Sequence, residues 1–284
     1  MQKIAIITDT NSGKTPKEAE DLGIYMLKMP FFVDGEEFFE YGSLTYDEFF
    51  HRMSAGAQIS TSQPSPGALT EIWEKALKDN DYAIYIPMSS GLSGTYSTAK
   101  MLAEDYDGRV LVVDNKRISV TLRASVLDAI NMRDNGMTAE EIVAKLEKGA
   151  LSASIYIAVN TLEHLKKSGR VTAAGAAIGT LLGIKPVLQI QGEKLDAYKK
   201  VRGMNAAAET IFDGIENDIK NRFVDKKINI VAAYSGIKSI SEPYFEALKN
   251  RFADYDIEFF TLPISISCHV GPNAFGVGVY ERIE

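Results

Sequence analysis

The sequence predicts an α/β protein of two domains. The first is a doubly wound, mostly parallel sheet over residues 1–150, and the second an α+β domain with a partly antiparallel sheet over residues 151–284. Three observations carry this prediction. Short apolar runs alternate with helical patterns through the first 150 residues, as strand–helix–strand units require. A seam of small residues, Gly149 to Ser154, then interrupts the pattern. Beyond it, two runs flanking Gly192-Glu193 read as a hairpin, and the remaining strands return over long connections.

Taken in order, Lys3 to Thr10 is apolar until Asp9 and reads as a central parallel strand whose carboxyl end faces a ligand crevice. Asp9 there serves either to position a ligand or to cap the next turn. Pro16 to Leu22 reads as a short helix and Gly23 to Met29 as a second strand. Asp34-Gly35 between apolar residues signals a hairpin over Phe31 to Phe39. Thr45 and Glu48 form a capping box for a helix bearing Phe49, Phe50 and Met53, with His51 on its surface. Ile59 to Pro66 carries four hydroxyls, an amide and two prolines. The prolines keep it extended, and Pro66 suits the first turn of a helix reaching Lys78.

Tyr82 to Ile86 is the third parallel strand. It runs into Met88-Ser89-Ser90-Gly91-Leu92-Ser93-Gly94-Thr95-Tyr96 and then a helix over Ser97 to Asp105. A strand that stops in a Ser/Gly loop and restarts as a helix brings N–H groups and hydroxyls onto one point, where an anion is stabilised. Val110 to Asp114 is the fourth strand, followed by helices over Ser119 to Asp134 and Thr138 to Lys148. In the second half, Ile155 to Val159 is a strand, and Thr161 to Lys167 a helix stopped by Gly169. Ala173 to Leu182 is small and apolar on every side and reads as a buried helix. The hairpin, Ile184 to Gln191 with Leu195 to Val201, precedes a long amphipathic helix, Asn205 to Arg222. Ile228 to Tyr234, Ile257 to Leu262 and Phe275 to Arg282 read as strands, and Ser241 to Phe252 as a helix. Cys268 to Pro272 reads as a turn among apolar residues.

Composition narrows the function. Hydrophobic content of 45% and charged content of 24% are those of an ordinary globular chain. No apolar run reaches the roughly 18 residues of a membrane span. The start, Met-Gln-Lys followed at once by a strand, is not that of a signal peptide, and the single Cys268 excludes an internal disulfide, so a cytoplasmic location is expected. The net charge of −7 argues against a nucleic-acid binder. Residues 1–150 carry 15 Lys and Arg against 23 Asp and Glu, whereas residues 151–284 carry 16 against 15, so cations facing an anionic ligand are expected from the second half. His51, His164 and His269 are scattered and no Cys/His cluster exists, so no metal site is expected.

No Gly-x-Gly-x-x-Gly follows the first strand, and no P-loop is present, so nucleotide chemistry is disfavoured. Gly91-Leu92-Ser93-Gly94 is out of step with Gly-x-Ser-x-Gly, which weakens a hydrolase elbow. What remains is a set of hydroxyls (Thr61, Ser62, Ser93, Thr95), two arginines (Arg170, Arg202) and His269. Hydroxyls and amides at helix starts bind an oxyanion, and an arginine adds a bidentate charged partner.

Six motifs in order resemble the DegV family: Thr61-Ser62-Gln63-Pro64-Ser65, the Ser89 to Tyr96 loop, Leu162 to Val171 with Lys166-Lys167-Ser168-Gly169-Arg170, Ile184 to Leu188, Lys200-Val201-Arg202-Gly203, and His269-Val270-Gly271-Pro272. The resemblance runs the length of the chain. It implies a two-domain protein that holds one long-chain fatty acid between its domains, with no other cofactor and no catalysis of its own. Some members serve as the fatty-acid-binding subunit of a bacterial fatty acid kinase, presenting the carboxylate to a separate ATP-using subunit that makes acyl phosphate for phospholipid synthesis. Transient membrane contact is compatible with that role. The family pattern puts the carboxylate near Thr61 and Ser93, with Ser62 and Gly94 in the same loops and Arg170 and His269 close by, and gives Arg202 to partner docking. The chain departs from the family at Asp9-Thr10-Asn11-Ser12-Gly13, which lacks a final acid, and at Asn115, where a hydroxyl is usual. Ala173 to Leu182 and Ile264 to Phe275 are the segments expected to wall an apolar cavity. Two rivals stand beside this reading: an acyl hydrolase using Ser93 and His269, and a phosphosugar binder using the Ser89 to Thr95 loop.

Overall fold

Parallel strands covered on both faces are buried along their whole length, and β1 (Ile4–Asp9) is buried at every residue. The computed structural model describes residues 2–177 and 183–283. After β1 come α1 (Pro16–Asp21), β2 (Tyr25–Leu27), β3 (Pro30–Val33), β4 (Glu36–Phe39), α2 (Tyr46–Ser54), β5 (Ile59–Thr61), α3 (Pro66–Leu77), β6 (Tyr82–Ile86), α4 (Thr95–Leu102), β7 (Val110–Val112), α5 (Ser119–Asp134) and α6 (Ala139–Lys148). The second half follows with β8 (Ala153–Ala158), α7 (Glu163–Ser168), α8 (Ala173–Ala176), β9 (Ile184–Ile190), β10 (Asp196–Arg202), α9 (Met204–Asn221), β11 (Ile228–Tyr234), α10 (Lys238–Arg251), β12 (Glu258–Thr261), α11 (Ile264–Val270) and β13 (Phe275–Glu281).

The strands form three sheets. The first is parallel throughout, in the order β2-β1-β6-β7. The second runs β10-β9-β8-β13-β11-β12 and is antiparallel except for the β11–β12 pair. The mixed α/β class is therefore as the sequence predicts. The third sheet, β4-β3-β5, is antiparallel. Its hairpin is the one signalled by Asp34-Gly35, whose residues take positive φ. Its third strand lies in the segment read as extended: Ile59–Thr61 pairs with β3, with Thr61 opposite Phe31.

Four expectations are corrected. Cys268 to Pro272 is not a turn, because Ile264–Val270 is helical and ends only at Gly271. Its first amides, Ile264 N and Ser265 N, donate to the buried Glu40 carboxylate at 2.8 and 3.1 Å, a cap invisible in sequence because 224 residues separate the partners. The predicted buried helix from Ala173 is described only to Ala177; Ala173, Ala174 and Ala177 are exposed there, and Ile178 to Leu182 lie outside the described residues. Thr45 caps α2 as expected, but Glu48 accepts from Arg52. The serine loop yields to helix at Thr95 rather than Ser97.

Packing makes layers. Leu69, Trp73 and Ala99 of α3 and α4 cover one face of the parallel sheet. Leu122, Val126 and Ala129 of α5 cover the other with α6. Val120 and Ala124, on the opposite side of α5, join Ile155, Ile157, Leu188 and Val231 on the inner face of the six-stranded sheet. Helices α9 and α10 close its outer face. One helix thus serves two sheets. Its approach is close because Gly278 faces it: a Cβ there would lie 2.6 Å from Val120 Cγ2.

Candidate functional site

The inner face of the six-stranded sheet does not close completely on α5, α7 and α11. It leaves a cavity in which the centre of a water-sized sphere can explore about 220 Å³. The walls are Ile155 and Ile157 of β8, Ile190, Ala233, Gly276, Leu195, Leu165, Leu262, Ile266, Val270, Met88, Leu92, Ile118 and Val120, all apolar or without a side chain. Among the polar lining, four segments bring the expected residues: Thr61 at the end of β5 with Ser62 and Gln63 after it, Ser93 and Gly94 before α4, Arg170 after α7, and His269 on α11. All six residues expected to hold a carboxylate therefore line one space. On a helix whose Ile264, Ile266 and Cys268 are buried, His269 is fixed by its neighbours rather than carried on a mobile turn.

The clamp is cross-linked. Thr61 Oγ1 and His269 Nε2 are 2.9 Å apart. His269 Nδ1 is buried and has no partner among the described residues. Burial, then the positive charge of Arg170 and the proximity of His164, push the His269 pKa down to about 4, so the ring is neutral at pH 7 and carries one donor and one acceptor nitrogen. Ser93 Oγ lies 2.8 Å from Thr95 Oγ1 and accepts from Thr95 N at 3.2 Å. Ser62 Oγ donates to Gln63 O at 2.9 Å. Gln63 exchanges hydrogen bonds with Thr98, tying the β5 exit to α4. Arg170 donates to the Ser168 carbonyl at the end of α7. Ser93 and His269 thus each have another partner, and the nucleophile–base bond a hydrolase would use is not formed.

The parts that sequence reasoning missed sit behind these residues. Asn11 lines the cavity, and Ser265 Oγ donates to its Oδ1 at 2.9 Å. Ser119, also lining, takes a positive φ of 54° at the start of α5. The alternation Phe275-Gly276-Val277-Gly278-Val279 is the sequence signal here: both glycines fall on the inward side of β13, where Gly276 lines the cavity and Gly278 lets α5 approach. Of the two segments expected to wall the cavity, α11 does so; the described part of Ala173 to Leu182 does not. Asp9 is buried, accepts from Asn11 N and Met88 N, and so caps the turn after β1. Burial raises its pKa to about 6. Asn115 is buried, with its side-chain oxygen taken by Arg117 N. Arg202 lies at the far end of β10, exposed and outside the cavity lining.

Comparison with known proteins places these features in context. The family described as "Uncharacterised protein, DegV family" matches residues 3–282. A DegV domain-containing protein of Deinococcus radiodurans is 29% identical over 280 residues, covering 97% of this chain and 98% of the relative. The solved structure of a DegV family protein from Thermus thermophilus, described for fatty acid binding, superposes with a TM-score of 0.88 at 29% identity, over 98% of this chain and 99% of that one. A fatty acid binding DegV family protein from Streptococcus agalactiae superposes with a TM-score of 0.86 at 27% identity, over 99% of both chains.

Proposed function

The chain belongs to the DegV family, and from that premise we propose that it binds one long-chain fatty acid in the apolar cavity, with the carboxylate held by Thr61, Ser62, Ser93, Gly94, Arg170 and His269. The observation that carries the reading is the cavity itself, walled mostly by apolar side chains with those six residues together in its lining. That is the shape a fatty acid needs. The similarity to fatty-acid-binding members at 27–29% identity supports it.

The physical chemistry divides the work. Burying an acyl chain of about 16 carbons at roughly 0.8 kcal/mol per CH₂ supplies about 10 kcal/mol before ordering costs. The head group then needs satisfied hydrogen bonds rather than strong attraction. Ser93 offers a hydroxyl proton when Thr95 is the donor of their shared bond, Arg170 offers charge, and Thr61 and His269 supply one further donor between them: in the tautomer where Thr61 donates to Nε2, the unpartnered Nδ1 carries the proton that reaches the carboxylate. On this reading the protein is a cytoplasmic carrier of two domains divided near residue 150. It catalyses nothing itself, and it presents the carboxylate to a separate fatty acid kinase subunit that docks at Arg202.

Organic extraction of the purified protein followed by mass spectrometry tests the ligand. The expected result is one long-chain fatty acid per chain, with palmitate or oleate rebinding after delipidation. A protein that carries no lipid and takes up neither acid would overturn the reading.

A further inference from the structure

Helix α11 belongs to two cores at once. Ile264 and Cys268 pack with Phe31, Phe49 and Met53 of the first half. Ile266 and Val270 pack with Leu165 and Leu188 of the second half and line the cavity. Pro263 stands at the N-cap, so the helix has no side-chain cap from its own end. Its first two amides are held instead by Glu40.

Glu40 is only 3% exposed, and among the described residues no Lys or Arg forms an ion pair with it. A buried carboxylate without a cation is costly unless donors satisfy it. Here Ile264 N and Ser265 N donate at 2.8 and 3.1 Å, and the positive end of the helix adds its attraction. Burial raises the Glu40 pKa, and these donors oppose the rise. A serine or threonine cap would satisfy one amide. Glu40 takes one amide on each oxygen, which fixes the helix in rotation as well as in position.

The same small sheet holds both ends of α11. Glu40 N donates to Met29 O at 3.2 Å, which extends the β3–β4 ladder beyond the Pro30–Phe39 pair. Thr61 ends β5 opposite Phe31. Glu40 and Thr61 therefore stand at the same end of the sheet, on either side of β3. Two strand spacings separate them, about 10 Å. The seven residues of α11 make about 10 Å of helix. The helix starts on Glu40 and brings His269 to within 2.9 Å of Thr61 Oγ1. Ser265 precedes His269 by four residues, one turn, so the amide that Glu40 holds sets the turn on which the imidazole is carried.

We propose, on the fatty-acid reading, that Glu40 is a positioning residue for the head group: by holding the first turn of α11 it sets His269 at the distance from Thr61 at which the two meet one carboxylate. Glu40 does not line the cavity, so it reaches the ligand only through α11. Without it the first amides lose their partners, the first turn frays, and His269 loses its register with Thr61, Ser93 and Arg170.

Calorimetric titration of the full chain with palmitate, together with nitrogen-15 NMR of its histidine rings, tests the proposal. Glu40→Gln keeps the shape of the side chain but turns one acceptor oxygen into a donor that faces an amide. Palmitate should weaken about tenfold, as it does when a group that orients a ligand-binding residue is removed. In a His269→Ala background the same substitution should change palmitate by less than about twofold, because the ring it positions is gone. The chain has three histidines. The His269 ring signals should shift in Glu40→Gln, while those of His51, exposed on α2, should stay in place. Should Glu40→Gln not fold, Glu40→Asp, one methylene too short to reach both amides, carries the same two readings. Leu248→Ala, in the core on the outer face of the six-stranded sheet, should lower stability and leave palmitate affinity unchanged. A folded Glu40 variant with unchanged palmitate affinity and unchanged His269 signals would make Glu40 a helix cap only and overturn the proposal. An equal loss of affinity with and without His269 would overturn it as well. Failure of the unaltered protein to bind palmitate overturns the fatty-acid reading, whereas the His269 signals still decide whether Glu40 sets the ring.

Discussion

His269 is a histidine kept neutral by its surroundings, and that has a measurable cost in acid. Folded, it binds a proton only near pH 4, against an ordinary value of 6.5. Between those values the unfolded chain holds a proton that the folded chain does not, so stability falls as the pH drops through that window. The loss is on the order of 2–3 kcal/mol. Asp9 and Asp128, whose pKa values burial raises to about 6, work in the opposite sense over part of the same range. The difference between the unaltered protein and His269→Gln isolates the histidine. Urea unfolding at pH 7 and pH 4.5 should show the unaltered protein losing more stability than the variant, whereas parallel losses would contradict the assignment.

At the scale of elements, α11 and the start of α4 meet the site through glycines with different tolerances. Gly271 ends α11 at φ 72°, and a Cβ there would strike the His164 ring at 2.7 Å. Both the backbone and a packed ring resist a side chain. Gly94 has an ordinary φ of −72°, and its Cβ would meet only Gln63 Oε1, the end of a flexible side chain. Gly271→Ala should therefore destabilise by about 1–3 kcal/mol. Gly94→Ala should cost less than about 1 kcal/mol while reshaping the head-group end of the cavity. Chemical denaturation of both variants gives the comparison, and equal losses would show that the His164 contact yields freely.

At the scale of the whole molecule, the residues proposed to hold the ligand and the arginine proposed for partner docking are spatially separate. The cavity lies on the inner face of the six-stranded sheet, and Arg202 is exposed on its edge strand β10, beside the positive-φ Gly203 that starts α9. An arginine at the centre of a docking surface commonly carries much of the contact energy. With a fatty acid kinase subunit supplied, Arg202→Ala should lower acyl phosphate formation by about tenfold or more. Palmitate affinity should move by less than about twofold, because no cavity contact is lost. Equal losses in both assays would remove the docking role.

Much of this was legible in the residues alone. Apolar runs bounded by polar ends located β1, β6, β8 and β11, and α5 begins and ends where the pattern placed it, at Ser119 and Asp134. The motifs around Thr61, Ser93, Arg170 and His269 named residues that line one cavity. These were readable because strand period, capping and motif order are local properties of a chain. What tertiary structure decided is everything that depends on distant partners. Ile59–Thr61 becomes a strand only because β3 offers it an edge, and α11 is a helix because Glu40 satisfies its first amides. The Thr61–His269 contact joins residues 208 positions apart. The pKa of that histidine, and the sharing of one wall between an apolar cavity and an outer cleft, follow from burial and juxtaposition, which no local pattern encodes.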